Sequence, residues 1–132
     1  MSFLLDTDIA SAYLQGNGKV FNRFIQHGGG LYISVLSVSE LFSWVYVADN
    51  PTRREGGLLA MLSDVTVLPI DDDIARKCGQ LRASLQHKGT KVPTLDLLIA
   101  ATALLHNLTV VTHNQRHFSL VPDLRIQDWL TP

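Results

Sequence analysis

Asp6, Asp8, Glu40, Asp96 and Asn114 are the residues of this 132-residue chain whose types and positions could do chemistry together. Asp96 is the most demanding of them. Leu95 to Leu105 is apolar on every helical face except at Asp96 and Thr102, so a helix here must be a buried one, with a carboxylate in its first turn. An ionised carboxylate taken out of water costs several kcal/mol unless it is compensated. Carboxylates gathered without softer ligands suit hard dications, Mg2+ or Mn2+. Two such acids about 4 Å apart repel by roughly 4 kcal/mol at an effective dielectric of 20. A metal or shared protons must then hold the group together. Metal-bound water and a metal-clamped phosphate give phosphoryl transfer or phosphodiester hydrolysis.

Each acid also has an ordinary structural reading. Ser37-Val38-Ser39-Glu40 fits a capping box, with Ser37 as N-cap and Glu40 reaching back to its amide. Asp96 follows Thr94, an N-cap candidate, and the helix dipole favours acids in a first turn. Asp8 reads as a helix N-cap, and Asp71-Asp72-Asp73 as the cap and negative first turn of the helix that begins near Ile74. Asp6 is more telling, because it stands directly after an apolar run and is followed by Thr-Asp and then a helical pattern. His27, His87 and His106 are isolated near helix ends and read as surface residues. His113 and His117 have the i, i+4 spacing of a metal pair, but that spacing counts only on a helix and this stretch leaves a strand, which argues against zinc.

The elements that must position these residues are legible from apolar periodicity. Phe3–Leu5, Leu31–Val35, Val65–Ile70 and Thr109–Thr112 are short, unalternating apolar runs, the signature of strands covered on both faces in a parallel sheet. Helical patterns lie between them, over Ala10–Leu14, Val20–Gln26, Val38–Val47, Arg53–Leu62, Ile74–Gln86 and Leu95–His106. Alternating strands and helices predict one α/β domain over residues 1–132, a three-layer sandwich with a mostly parallel central sheet. Such sheets place ligand sites beyond the carboxyl ends of their strands. Asp6 and Asn114 directly follow strands, Glu40 opens a helix after the second strand, and Asp96 at a helix N-terminus can face the same edge.

Composition narrows the class. Hydrophobic residues make up 46% of the chain and charged ones 17%, which excludes a disordered polypeptide. The single cysteine, Cys78, falls in the apolar stripe Ile74, Cys78, Leu81, Leu85, so no internal disulfide is possible and a reducing compartment is expected. No signal peptide or membrane-length apolar run is present, and a cytoplasmic, soluble protein is expected. The net charge of −1 gives no general attraction to a polyanion. Any basic rim must come from Arg53, Arg54, Arg82, Lys88, Lys91 and Arg116.

The ordered set L-L-D-T-D-I, S-V-S-E-L, L-D-L-L-I-A-A-T-A-L and V-V-T-H-N-Q-R-H-F resembles PIN-domain ribonucleases, and more closely the VapC toxins of bacterial toxin–antitoxin pairs. The resemblance runs from Phe3 to Trp129. It implies a PIN-like fold in which Asp6, Glu40 and Asp96 bind Mg2+ or Mn2+, with Thr7 and Thr112 as polar neighbours orienting the metal, its water or a phosphate. Asn114 occupies a place where many members carry a fourth acid, which puts a second metal in doubt. Arg116 and His117 fall beside it as candidates for a substrate phosphate. The implied reaction is in-line hydrolysis of RNA, with Asp6, Glu40, Asp96, Thr112 and Asn114 as the catalytic set. The implied partners are an RNA substrate, a cognate antitoxin and a second copy of the chain in a homodimer. The stretch Leu41–Val47 carries more large apolar side chains than one buried face needs, and it serves either as a core helix or as a partner surface.

Three rival readings remain. Leu4-Leu5-Asp6-Thr7-Asp8 also fits the strand-end D-x-D of haloacid-dehalogenase-like phosphatases, although Lys91 is badly placed and Asp96 lies within an apolar helix. A phospho-acceptor receiver domain would need a Lys after its fifth strand, which this chain lacks. A PIN-like module that binds RNA or a partner without cutting is made thinkable by Asn114.

Overall fold

In the computed structural model, which describes residues 1–131, the first strand is also the central one. β1 (Phe3–Leu5) is flanked by β2 (Leu31–Ser34) and β4 (Thr109–Val111), with β3 (Thr66–Leu68) outside β2 and β5 (Ile126–Gln127) outside β4. Every pairing is parallel. Leu5 is in register with Ile33 on one side and Val111 on the other. Asp6, Ser34 and Thr112, each one residue further on, therefore emerge at the same carboxyl edge.

The alternation of side chains along the strands divides the core into two layers. Phe3, Leu5, Ile33 and Val111 pack with α1 (Thr7–Leu14), α2 (Gly18–Gln26), α3 (Val35–Tyr46) and α4 (Thr52–Asp64). Leu4 and Val110 face the opposite way, onto α5 (Asp72–His87), α6 (Thr94–His106) and the short α7 (Gln115–Phe118). The three-layer α/β sandwich expected from the sequence is thus present. α6 is buried through Leu97, Ile99, Ala100, Ala101, Thr102 and Ala103, and Thr102 satisfies its hydroxyl on the Leu98 carbonyl at 2.8 Å. The helix ends at Asn107, whose left-handed backbone (φ 55°) closes the C-cap.

Several boundaries differ from the sequence reading, each for a local reason. Ser34, three residues before Ser37, takes the N-cap of α3 by accepting from the Leu36 amide at 3.1 Å. The Ser37–Glu40 capping box therefore does not form: Ser37 is buried inside the helix and Glu40 lies in the second turn. Asp6 rather than Asp8 caps α1, its carboxylate accepting from the Thr7 amide. Thr94 is the first residue of α6, not its cap; Pro93 holds that place without a side-chain bond. Asp71 does cap α5, accepting from the Ile74 amide at 2.9 Å. β3 is shorter than Val65–Ile70 and is not covered on both faces, because it is an edge strand with Thr66 and Val67 exposed. α7 and β5 have no counterpart in the sequence reading.

His27 is not simply a surface residue. Its ring lies 4.6 Å from that of Phe3 and stacks on Trp129 at 5.6 Å. Trp129 itself is 2% exposed, and it closes the layer beneath α2. Within the Leu41–Val47 segment, Leu41 and Val45 are core, while Tyr46 and Val47 stand exposed.

Candidate active site

The carboxyl edge is tied together by hydrogen bonds that link the two ends of the chain. Asp6 leaves β1 with Oδ1 accepting from the Thr7 amide at 2.8 Å and Oδ2 accepting from the Thr112 hydroxyl at 2.9 Å. Thr112, fully buried after β4, accepts in turn from the Asn114 amide at 3.0 Å. Asp8, in the first turn of α1, accepts from the His113 amide through Oδ2 at 3.0 Å, and its Oδ1 is buried with no partner. His113 also pairs through Nδ1 with Asp128 Oδ2 at 2.9 Å.

The remaining acids come from helices on opposite faces of the sheet. Glu40, on α3, accepts from the Thr7 hydroxyl through Oε1 at 2.5 Å. Asp96, on α6, meets His117 Nδ1 of α7 through Oδ2 at 2.8 Å. Thr7 therefore bridges β1's edge to Glu40, and His117 braces Asp96. Asp8, named with the other acids in the sequence but read there as a helix N-cap, does not cap α1; it lies in that helix's first turn and reaches the His113 amide instead. Two candidates stay outside this arrangement. The side chains of Asn114 and Arg116 are exposed, and among the described residues neither hydrogen-bonds to the acids.

The electrostatics are those of a site short of positive charge. Burial lifts the Asp6 carboxyl from 3.8 to about 6, the Asp8 charge adds to the rise and Asp96 adds less, while the bonds from Thr112 and Thr7 oppose it. Burial likewise raises Asp8, against the amides that bond to it. Hydrogen bonds do not fully offset burial at either carboxyl.

Hard oxygen donors of this kind match Mg2+ or Mn2+ in chemistry. The orphaned Asp8 Oδ1 and the raised Asp6 carboxyl both mark a place where positive charge would be stabilising. Among the described residues, however, no three His, Cys, Asp or Glu side chains already enclose an ion. Asp96 is engaged by His117, and Glu40 by Thr7. The i, i+4 spacing of His113 and His117 is not carried on one helix: His113 precedes α7 and pairs with Asp128, whereas His117 lies within α7 and pairs with Asp96.

A five-stranded parallel sheet between two helical layers, with Asp6, Asp8, Glu40 and Asp96 toward its carboxyl edge, defines the class: an α/β sandwich with an acidic edge. The PIN domain profile matches residues 3–124. The tRNA(fMet)-specific endonuclease VapC of Salmonella typhimurium is 32% identical over 130 residues, covering 98% of each chain. Ribonuclease VapC2 of Haemophilus influenzae is 28% identical over 131 residues, covering 98% of this chain and 99% of its own. Among solved structures, DNA-bound VapBC from Salmonella typhimurium superposes with a TM-score of 0.91 at 32% identity, covering 98% of both chains. VapBC2 from Rickettsia felis bound to a promoter DNA fragment gives 0.89 at 26% identity, covering 98% of this chain and 99% of that one. The chain belongs to the PIN-domain family, as a VapC-type member.

Proposed function

We propose that the chain is the endoribonuclease toxin of a toxin–antitoxin pair and hydrolyses RNA phosphodiester bonds at the carboxyl edge of its sheet. The observation that carries this reading is the geometry of the carboxyl edge: Asp6 after β1 bonds Thr112 after β4, and Asp8 beside it bonds the His113 amide while its Oδ1 is buried without a partner, a place where a dication would be stabilising. Asp6 and Asp96, with Glu40 nearby, would hold Mg2+ or Mn2+. When bound, such an ion supplies an activated water and neutralises charge on the scissile phosphate.

The chain's own residues do the positioning. Thr112 fixes the Oδ2 side of Asp6, and Thr7 holds Glu40 toward the β1 edge. His117 orients Asp96 through Nδ1, which leaves its other ring nitrogen for a substrate oxygen. Arg116, exposed on the same turn, is a phosphate contact at the rim. Asn114 brings no charge, so the reading assigns one metal, with its side-chain carbonyl as a water-mediated neighbour at most.

The tRNA(fMet)-specific relative makes tRNA the first substrate to test. The VapBC neighbours make an antitoxin the expected protein partner, and the family resemblance makes a homodimer the assembly to test. No helix among the described residues is long and apolar enough to cross a membrane, and the buried Cys78 suits the cytoplasm.

The deciding experiment combines Mn2+ calorimetry with an RNA cleavage assay on the wild type and Asp96→Asn. Saturable Mn2+ binding and cleavage in the wild type, both lost in a folded variant, are expected. Cleavage undiminished in Asp96→Asn would overturn the assignment. Saturable RNA binding with no cutting by the wild type in Mn2+ would instead favour the non-catalytic PIN-like module.

A further inference from the structure

Between the last turn of α5 and the start of α6 lies a cleft of about 520 Å3, within the range of roughly 300–1,000 Å3 that accommodates a small organic ligand. Its floor is apolar, with Leu85, Val92 and Leu97 all buried. Its rim is basic, formed by Arg82 and Lys91, and no Asp or Glu is among the described residues that line it. Arg82 is held in place by donating to the Thr94 hydroxyl at 2.8 Å. His117 forms one wall while its Nδ1 rests on Asp96. The cleft is therefore one side chain away from Asp96.

The combination selects its occupant. A simple phosphate would use the cations and waste the apolar floor; an aliphatic chain would use the floor and leave two cations without an anion. A nucleotide uses both, because it has a flat face that gains from leaving water and a phosphate that pairs with Arg or Lys. We propose that this cleft receives one unstacked nucleotide of the RNA strand, its base against Leu85, Val92 and Leu97 and its phosphate between Arg82 and Lys91, next to the bond that is cut. The proposal rests on the ribonuclease reading above and adds to it a single-stranded substrate and the place where one base is read.

The test uses a fluorescein-labelled RNA stem-loop and the full chain in EDTA, so that binding is measured without cleavage. Gln86→Trp fills the mouth of the cleft from an exposed position, and Lys91→Ala removes one cation from another. Circular dichroism checks that both fold. Gln86→Trp is expected to weaken stem-loop binding by about ten-fold, with its salt dependence unchanged. Lys91→Ala is expected to lower the slope of log K against log salt by about 0.7, the value for one phosphate contact on a single strand. Unchanged stem-loop affinity and slope in both folded variants, or no saturable binding by the wild type, would overturn the proposal. Cleavage by the wild type and by Asp6→Asn in Mn2+ separates the two levels. Normal binding by the cleft variants while only the wild type cuts removes the cleft and keeps the ribonuclease. Cutting by neither, or by both alike, removes the ribonuclease reading and the cleft with it.

Discussion

Asp6→Asn changes charge at nearly constant shape, and the structure fixes what that should do to stability. In the folded chain the Asp6 carboxyl titrates at about 6 instead of 3.8. The folded state thus holds the proton longer than the unfolded one, so stability is greatest below about 3.8 and falls as pH rises through about 6. The displacement corresponds to about 3 kcal/mol at neutral pH, at roughly 1.4 kcal/mol per pKa unit. Asparagine removes that term and remains a good N-cap for the Thr7 amide. Its amide group would face Thr112, whose hydroxyl must then accept where it now donates; that exchange costs about 1 kcal/mol. In EDTA at pH 7.5 the variant should be more stable by about 2 kcal/mol, a Tm rise somewhat below 10 °C. The gap should close between pH 6 and pH 4. Thermal unfolding followed by circular dichroism across that range measures it, and adding Mn2+ should reverse the order, since a ligand at 100 times its Kd adds about 2.7 kcal/mol to the wild type alone. A variant that is less stable at every pH by a constant amount would refute the reasoning, reducing Asp6 to a cap whose charge does not matter.

Three further outcomes follow from particular contacts. Thr112→Val should cost about 1–3 kcal/mol in denaturant unfolding, because the buried hydroxyl serves both Asp6 and the Asn114 amide; it should also raise the Asp6 pKa further, read by NMR titration. Thr7→Val frees Glu40 from its 2.5 Å bond and should leave the Tm nearly unchanged, while weakening Mn2+ binding in calorimetry by about ten-fold, the scale for a residue that orients a ligand. Trp129→Ala should cost about 3–5 kcal/mol, since the ring is 2% exposed against Phe3, Phe24 and His27; chemical denaturation measures it.

What the sequence disclosed, and what it hid, follows the length over which each signal acts. β1, β4 and α6 are dominated by apolar residues, and the burial of both strands and of the middle of α6 made them readable together with the acids near their ends. Glu40 was obscured because Ser34 and Ser37 are both competent caps; only the turn of the chain after Ile33 decides which oxygen reaches an amide first. Asp8 looked like a cap for the same reason, and its partner, the His113 amide, is 105 residues away. α7 spans four residues and β5 two, too few for periodicity to register. His117 was found by resemblance, but its bond to Asp96 depends on where that single turn sits. The edge strand β3 was overdrawn because apolar composition does not tell an edge from a centre.

The bonds from Thr112 to Asp6 and from His113 to Asp8 join residues 106 and 105 positions apart. During synthesis β1 waits for its second neighbour until β4, more than 100 residues further on, has left the ribosome. Until then Asp6 lacks the hydroxyl that holds it, and Asp96 lacks His117. A nascent or truncated chain ending before Thr109 carries every acid and no assembled site. For a protein whose activity would harm the cell that makes it, the order of the chain itself delays that activity until Thr112 and His117 have been made, leaving the interval in which an antitoxin can already be at hand.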